Sequence, residues 1–324
     1  MRRLFPLVVL AAGLQWIASA TAQPYPSRPI RLVVASSAGG VHDVIGRLWA
    51  DRLKTALGTI VIDNRGGAGG SIGVGEAARS QPDGYTLLLG SNGTHILHPL
   101  VSKQPAYDAI NDFEVISVFA TTSTSVAVHP SAPARMLREL VDYAKAHPGK
   151  LSYGHGGVGG PSHTAAEMFK RLAGDLDIMP IPYKGMGPAQ ADVIAGTVPM
   201  FVPNITGQVI ELHRSGRIRI LAVNAPARHE ALPDIPTAIE AGVPGMISQN
   251  FFGIFAPAGT PGPIVDQIDR LTQAALGEKE FQKKLGDAGF EPMPGFGGDV
   301  AKTYIKSEYA RWKPIVESIG VKID

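Results

Sequence analysis

The residues best placed to do chemistry in this chain are glycines and small polar groups in turns, rather than a grouped acid, base and nucleophile. Three glycine-rich turns stand out: Ala38-Gly39-Gly40, the run Gly66 to Gly75, and Gly154 to Gly160. The first and third open onto stretches with helical periodicity. A helix N-terminus carries unpaired N–H groups and about half a positive charge, and glycine lets a ligand come close to the backbone. Such a turn suits a carboxylate or a phosphate. Two of them, from different halves of the chain, favour a shared anion cleft over two unrelated tight turns.

Other motifs fail on context. Gly154 to Gly159 matches G-x-G-x-x-G. A dinucleotide site also needs an acid after the next strand to hold the ribose, and here that strand (178–183) runs into Lys184. Gly69-Gly70-Ser71-Ile72-Gly73 matches G-x-S-x-G, but a nucleophile elbow puts its serine at a sharp turn directly after a strand. Ser71 instead lies well past Ile62, in a glycine loop, with no evident acid and histidine to follow. It reads as a loop serine or helix cap; an exported serine hydrolase built on it is the rival reading. The nine histidines are scattered, with His95 and His98 three apart and His155 and His163 eight apart, and match no metal-binding spacing. The chain lacks cysteine, which excludes disulfide scaffolds, thiol catalysis and Cys-based metal centres. No catalytic constellation, cofactor site or metal site is therefore expected.

The elements that must position these turns alternate. Strands are expected at 28–34, 59–62, 85–89, 114–119, 125–128, 151–153, 178–183 and 218–223. Between and after them, helices are expected at 44–57, 72–79, 137–146, 162–172, 264–276 and 301–319. Asp43 falls where an acid suits the first turn or cap of its helix. Phe251 and Phe252 fit either a cleft wall or, by default, the core. Repeated strand–helix units of this kind predict an α/β chain with largely parallel sheets. With 324 residues there is room for about two domains. No long linker separates them and no internal repeat is visible, so segments crossing between the domains, with a cleft at the crossing, are expected.

Met1 to Ala22 reads as a signal peptide. Arg2 and Arg3 form its positive start, Leu7 to Ala12 begins its apolar core, and Ala20-Thr21-Ala22 supplies the cleavage site. Removing Arg2 and Arg3 brings the 30 basic residues level with the 28 acidic ones. A neutral exported chain without basic runs gives no reason to expect nucleic acid as a partner.

Taken together, the motifs resemble a family. RPIRLVVASSAGGVHD (28–43), IVIDNRGGAGGSIG (60–73), PDGYTLLLGSNGTH (82–95) and YDAINDFEVIS (107–117) are similar to segments of the substrate-binding proteins of tripartite tricarboxylate transporters, the Bug or TctC family. HPGKLSYGHGGVGGPSH (147–163), PYKGMGPAQADVIAGTVPMF (182–201), ALPDIPTAIEAGVPG (231–245) and FFGIFAPAGTP (251–261) continue the match in order. The resemblance implies a type II-like periplasmic binding protein, with two α/β lobes, a ligand cleft and two crossing segments. Lobe 1 would comprise 23–123 and 247–324, and lobe 2 would comprise 124–246.

It also implies a periplasmic receptor, not an enzyme. Such a receptor captures a small organic acid (a di- or tricarboxylate, an acidic amino acid or an aromatic carboxylate) by hinge closure and delivers it to membrane transporter subunits. A monomer is the usual form; a sensor without a transport role is a variant of this reading. Carried over by position, lobe 1 contributes Ser37, Gly39, Gly40, His42, Asp43, Asn92 and Thr94 to the ligand. Lobe 2 contributes Gly156, Gly159, Ser162, His163 and Asn204. Asp43 caps its own helix or meets the ligand. The chain departs from the family pattern where Ser36-Ser37 replaces Pro-Phe, where His42 takes a hydroxyl position, where Gly160-Pro161 replaces serines, and at Pro203 before Asn204. His42 would then be a bulky, titratable donor in the pocket.

Overall fold

The computed structural model describes residues 25–323; the expected signal peptide lies outside them. In chain order the first elements are β1 (Ile30–Val34), α1 (Val41–Leu57), β2 (Ile60–Asn64), α2 (Ser71–Ala78), β3 (Thr86–Ser91), α3 (His98–Val101) and β4 (Phe113–Ser123). The middle of the chain forms β5 (Ser125–Val128), α4 (Leu137–Ala146), β6 (Leu151–His155), α5 (Pro161–Leu172), β7 (Ile178–Pro182), α6 (Met186–Ile194), β8 (Met200–Phe201), α7 (Gly207–Arg214) and β9 (Arg219–Val223). The last part adds β10 (Gln249–Pro257), α8 (Gly262–Leu276), α9 (Lys279–Asp287), β11 (Glu291–Pro292) and α10 (Gly298–Ile319).

The strands form two sheets, ordered β11-β4-β10-β3-β1-β2 and β7-β6-β8-β5-β9. Each sheet with its helices makes one lobe. Both sheets are mixed, which corrects the expectation of largely parallel ones. β1 runs parallel to β2 and β3, and β6 to β7 and β8. However, β10 is antiparallel to β3 and β4, and β5 to β8 and β9. The reversal comes from the crossings. β4 passes into β5 through Thr124 alone, so one extended stretch serves both sheets; β10 returns beside it in the opposite direction.

Helices α1 and α8 show how the first core is closed. Ile45, Trp49 and Leu53 of α1 are buried, at the spacing that makes one helical face. A Cβ on Gly46 would lie 3.2 Å from Leu89 Cδ2 and 3.3 Å from Val34 Cγ2, so glycine lets α1 ride close on the sheet. Trp49 Nε1 donates to Thr272 Oγ1 of α8 at 3.1 Å, giving the buried indole its polar partner. Phe251 and Phe252 are fully buried in β10 and belong to the core.

At the crossing, Thr124 N–H donates to Ser248 carbonyl at 2.8 Å, Ser248 N–H to Asn224 carbonyl at 2.8 Å, and Asn224 N–H to Thr124 carbonyl at 2.9 Å. Ser123, Thr124, Ser125, Asn224 and Ser248 are all buried. The two strands and the end of β9 are thus sewn into one small polar junction between the lobes. α10 also reaches across it: Arg311 Nη1 donates to Ile247 carbonyl at 3.2 Å, and Arg171 Nη1 of α5 donates to Ser318 carbonyl at 3.0 Å.

Candidate functional site

The turns before α1 and α5 are built alike. Gly39 and Gly159 have φ of 79° and 74°, in the left-handed region that glycine enters without strain. Gly40 and Gly160 then cap their helices at φ −74°, ψ 170° and φ −75°, ψ 169°. Gly40 N–H donates to Ser37 carbonyl, and Gly160 N–H to Gly157 carbonyl, each at 3.3 Å. The first helical bonds, Val44 N–H to Gly40 and Thr164 N–H to Gly160, are both 3.0 Å. The amides of Val41, His42 and Asp43 in one turn, and of Ser162 and His163 in the other, therefore precede the first N–H that is paired within their helix. They point a small positive field outward.

The nearby side chains hold these turns in shape. Asp43 is buried; its Oδ2 accepts from Gly39 N–H at 2.8 Å and Arg47 Nε at 2.9 Å, and its Oδ1 from Asn64 Nδ2 at 3.1 Å. Burial raises its pKa, but the bonds from Arg47, Gly39 and Asn64 outweigh that and hold the carboxyl below the usual value. The same task falls to an imidazole in the other turn, where His163 Nδ1 accepts from Gly159 N–H at 3.1 Å. Ser162 Oγ accepts from Gly156 N–H at 3.0 Å, and His155 Nδ1 from Gly157 N–H at 3.3 Å. The His155 and His163 rings stack with centroids 4.3 Å apart. Burial, aided by His155, pushes His163 down to about 4, so it is neutral at pH 7 and its Nδ1 stays an acceptor.

The turn after β3 joins the two helix starts. Gly93–Leu97 form a single π turn, a local irregularity that is frequent at functional sites. On one side His42 Nε2 lies 2.8 Å from Ser91 Oγ, with its ring edge-on to Phe252 at 5.2 Å. Burial pushes His42 down to about 4. On the other side a Cβ on Gly93 would lie 3.3 Å from Pro161 Cγ, and one on Gly159 would lie 2.8 Å from Val101 Cγ2. The two lobes touch here, with the 91–94 turn wedged between the starts of α1 and α5. Asn92 is fully buried, and its Nδ2 donates to Gln249 carbonyl at 3.0 Å at the start of β10. Thr94 Oγ1 accepts from Ser91 N–H at 2.9 Å and lies 3.0 Å from His95 Nδ1. Asn204 Oδ1 accepts from Asn250 Nδ2 at 2.5 Å, beside the crossing strands.

The sequence-derived residues thus gather around one interlobe region. Ser37, Gly39 and Gly40 lie in the first turn, Gly156, Gly159, Ser162 and His163 in the second, and His42, Asn92 and Thr94 at the wedge. Asn204 sits at the junction behind. Sequence reasoning missed Ser91, the partner of His42, and Val101, and it named Pro161 only as a departure from the family pattern, without its part in the contact between lobes. Ser91 had a signal, being the strand-end residue immediately before Asn92 in the GSNGTH turn. A surface hollow of about 530 Å3 lined by Arg47, Ala50, Asp51, Lys54 and Ile62 among others shares no residue with these turns.

Ser71 is not on an elbow. It opens α2 seven residues past the end of β2, and its Oγ donates to Ala68 carbonyl at 2.9 Å. His95 is stacked on Phe255 at 3.8 Å in the core, whereas His98 lies against Gly69. Among the described residues, no group of three or more His, Cys, Asp or Glu side chains is placed to hold a metal ion, and no helix is long and apolar enough to cross a membrane.

The chain is similar to known proteins over nearly its whole length. The tripartite tricarboxylate transporter family receptor, TctC, matches residues 45–321. Protein BugT of Bordetella pertussis is 32% identical over 327 aligned residues, which cover 100% of this chain and 99% of BugT. An R. palustris protein solved with adipate superposes with a TM-score of 0.86 at 34% identity, covering 92% of this chain and 99% of its own. MatC from Rhodopseudomonas palustris with bound malate superposes with a TM-score of 0.82 at 29% identity, covering 90% and 100%. With its two α/β lobes and paired glycine turns, the chain belongs to the tripartite tricarboxylate transporter family of receptors, the Bug or TctC proteins.

Proposed function

We propose that this protein is a periplasmic receptor that binds a small organic carboxylate between lobe 1 (23–123 and 247–324) and lobe 2 (124–246) and presents it to the membrane subunits of a tripartite tricarboxylate-type transporter. The observation that carries this is the pair of matched turns, one from each lobe, that bring two helix N-termini to either side of the 91–94 wedge. A carboxylate is an acceptor-only group, and backbone N–H groups at helix starts are donors that need no counter-charge. Adipate and malate in the two similar structures support the same ligand class. Closure is a population shift: the ligand gains donors from the second lobe only when the lobes meet, and so favours the closed form. Ser37, Gly39, Gly40, His42, Asn92, Gly156, Gly159, Ser162 and His163 make up the ligand shell on this reading. Asp43, Thr94 and Asn204 brace it. Binding needs no covalent step, and the protein acts as a monomer.

A thermal-shift screen of the refolded, ligand-stripped protein tests this. The panel holds di- and tricarboxylates, acidic amino acids and aromatic carboxylates, with uncharged sugars as controls. A ligand at 100 times its Kd adds about 2.7 kcal/mol to stability, and the expected result is a clear rise in melting temperature with acids alone. A folded protein that no acid stabilises refutes the proposal. Hydrolysis of a simple ester, abolished by Ser71→Ala, would instead favour the hydrolase.

A further inference from the structure

His155 has no place in the ligand shell, yet it braces the lobe 2 turn. Its Nδ1 accepts from Gly157 N–H at 3.3 Å, and His163 Nδ1 accepts from Gly159 N–H at 3.1 Å. A ring nitrogen that accepts carries no proton, so both imidazoles are neutral with their hydrogen on Nε2. The rings are buried and stacked, with centroids 4.3 Å apart. Two like charges so close oppose each other, so the pair takes up one proton far more readily than two. A proton on either Nδ1 turns an acceptor into a donor facing a backbone N–H, and that glycine loses its partner. The charged groups beside the pair, Glu167 and Lys170 of α5, are already tied. Lys170 Nζ donates to Glu167 at 2.9 and 3.0 Å, and Tyr153 Oη of β6 donates to it at 2.5 Å. Among the neighbouring elements, α3 brings Val101 to Gly159, α6 brings Met186 to Gly156, and β8 pairs with β6 through Met200 and Phe201, all apolar. Tyr183, its hydroxyl donating to Asp192, lies over Gly154 on the opposite face of β6, and α10 meets α5 at Arg171, farther along the helix.

Lobe 1 is braced differently. There the acceptor for the left-handed glycine is the Asp43 carboxylate, which keeps its charge where an imidazole gains one. We propose that His155 and His163 are a proton-sensitive brace: one proton taken up by the pair frees the Gly157–Gly159 turn, so acid loosens the lobe 2 turn and leaves the lobe 1 turn set. His155 is thus a positioning residue, acting through Gly157 and through the ring of His163. Opening the turn returns the rings to water and to their ordinary value of about 6.5. In the closed turn burial pushes His163 down to about 4 and lowers His155 as well. Between those limits the open turn binds the proton and the closed turn does not. The closed turn is therefore most favoured above about pH 6.5 and loses ground as pH falls to about 4. Weaker ligand capture in acid follows if the carboxylate reading above holds; the brace itself does not depend on it.

Amide hydrogen exchange of the intact, ligand-stripped protein, read residue by residue by NMR from about pH 7.5 to about pH 4, tests the brace. Protection of Gly157 and Gly159 is expected to fall about tenfold per pH unit below about 6.5, reaching about 300-fold near pH 4. Gly39, held by Asp43, should change far less. His163→Asp sets a carboxylate four residues after Gly159, as lobe 1 does after Gly39, and should flatten the Gly159 profile. For any acid that binds, the affinity of His163→Asp relative to wild type should then rise as pH falls, a ratio from which the ligand's own ionisation cancels. Parallel profiles for Gly159 and Gly39 in the folded wild type overturn the proposal, as do Gly157 and Gly159 amides that exchange unprotected at pH 7. The expected profiles in a protein that binds no acid would leave the brace standing and refute the carboxylate receptor; tight acid binding with flat profiles would do the reverse. The wild-type profiles decide the matter even if the variant does not fold.

Discussion

Gly159→Ala and Gly39→Ala form a matched pair that isolates what lobe contact contributes to binding. Both residues sit at nearly the same left-handed φ, 74° and 79°, where an L side chain costs about 1–2 kcal/mol. That cost applies in any lobe arrangement, because it belongs to the turn itself. The surroundings differ. A Cβ on Gly39 meets nothing within 4 Å, whereas one on Gly159 lies 2.8 Å from Val101 Cγ2. Val101 is fully buried in α3 of the other lobe, so its methyl group cannot swing into solvent to make room. Overpacking of this kind costs about 1–3 kcal/mol. If the lobes part when empty, the open form escapes that clash and the closed, liganded form bears it. Gly159→Ala should then weaken ligand binding by about 5- to 150-fold, with Gly39→Ala close to wild type. In ligand-free melting the two variants should lose similar stability. Calorimetric titration with the best acid from the screen, beside melting curves of both variants, supplies the numbers. Equal affinity losses for the two, or a Gly159→Ala that loses stability and keeps its affinity, would show that the Gly159–Val101 contact is not made on closing.

Two further predictions concern acid and the turn braces. Asp43→Ala removes the acceptor of Gly39, Arg47 and Asn64 together and should cost about 1–3 kcal/mol of stability, read from denaturant unfolding. Because the folded carboxyl lies below its ordinary value, its contribution is full above about pH 4 and lost as pH falls through the folded value; the variant should lack that part of the acid limb. His42 and His163 titrate near 4 in the folded protein against about 6.5 unfolded. The unfolded chain therefore takes up protons first, and stability should fall from about pH 6.5 down to about pH 4. Melting temperatures across that range should flatten in His42→Gln and in His163→Gln, and an unchanged slope in both would refute the assignment.

Much of the fold is legible in the sequence because burial leaves a period. Ile45, Trp49 and Leu53 mark α1, and Ile305, Trp312 and Val316 mark α10, since each face must meet a core. Strand direction leaves no such trace. β10 is an unbroken apolar run, NFFGIFAP, buried along almost its whole length, and nothing in a run covered on both faces says whether it lies parallel or antiparallel to its neighbours. The mixed sheets follow from the crossing of β4 into β5, which is a fact of topology. α9 escaped notice for the opposite reason: it buries only Phe281 and Leu285, too few apolar positions for a period to register.

The site divides along the same line. Its glycines are readable, because left-handed turns before a helix demand them. The likeness of the two turns is not, because SSAGGVHD and GGVGGPSH share only the two glycines in register. The shared feature is a task, an acceptor four residues on that holds the left-handed glycine's N–H, and it is done by a carboxylate at Asp43 and by a neutral imidazole at His163. One consequence bears on selectivity. If the ligand binds at these turns as proposed, their side-chain acceptors are already engaged in holding backbone N–H groups, and the matched part of the cleft offers mostly main-chain donors, which suit any carboxylate alike. On that reading discrimination among acids falls to the wedge, where His42 and Asn92 are side chains. Exchanging Asn92 should therefore change which acid is preferred, whereas reshaping either turn should change how tightly all acids are held.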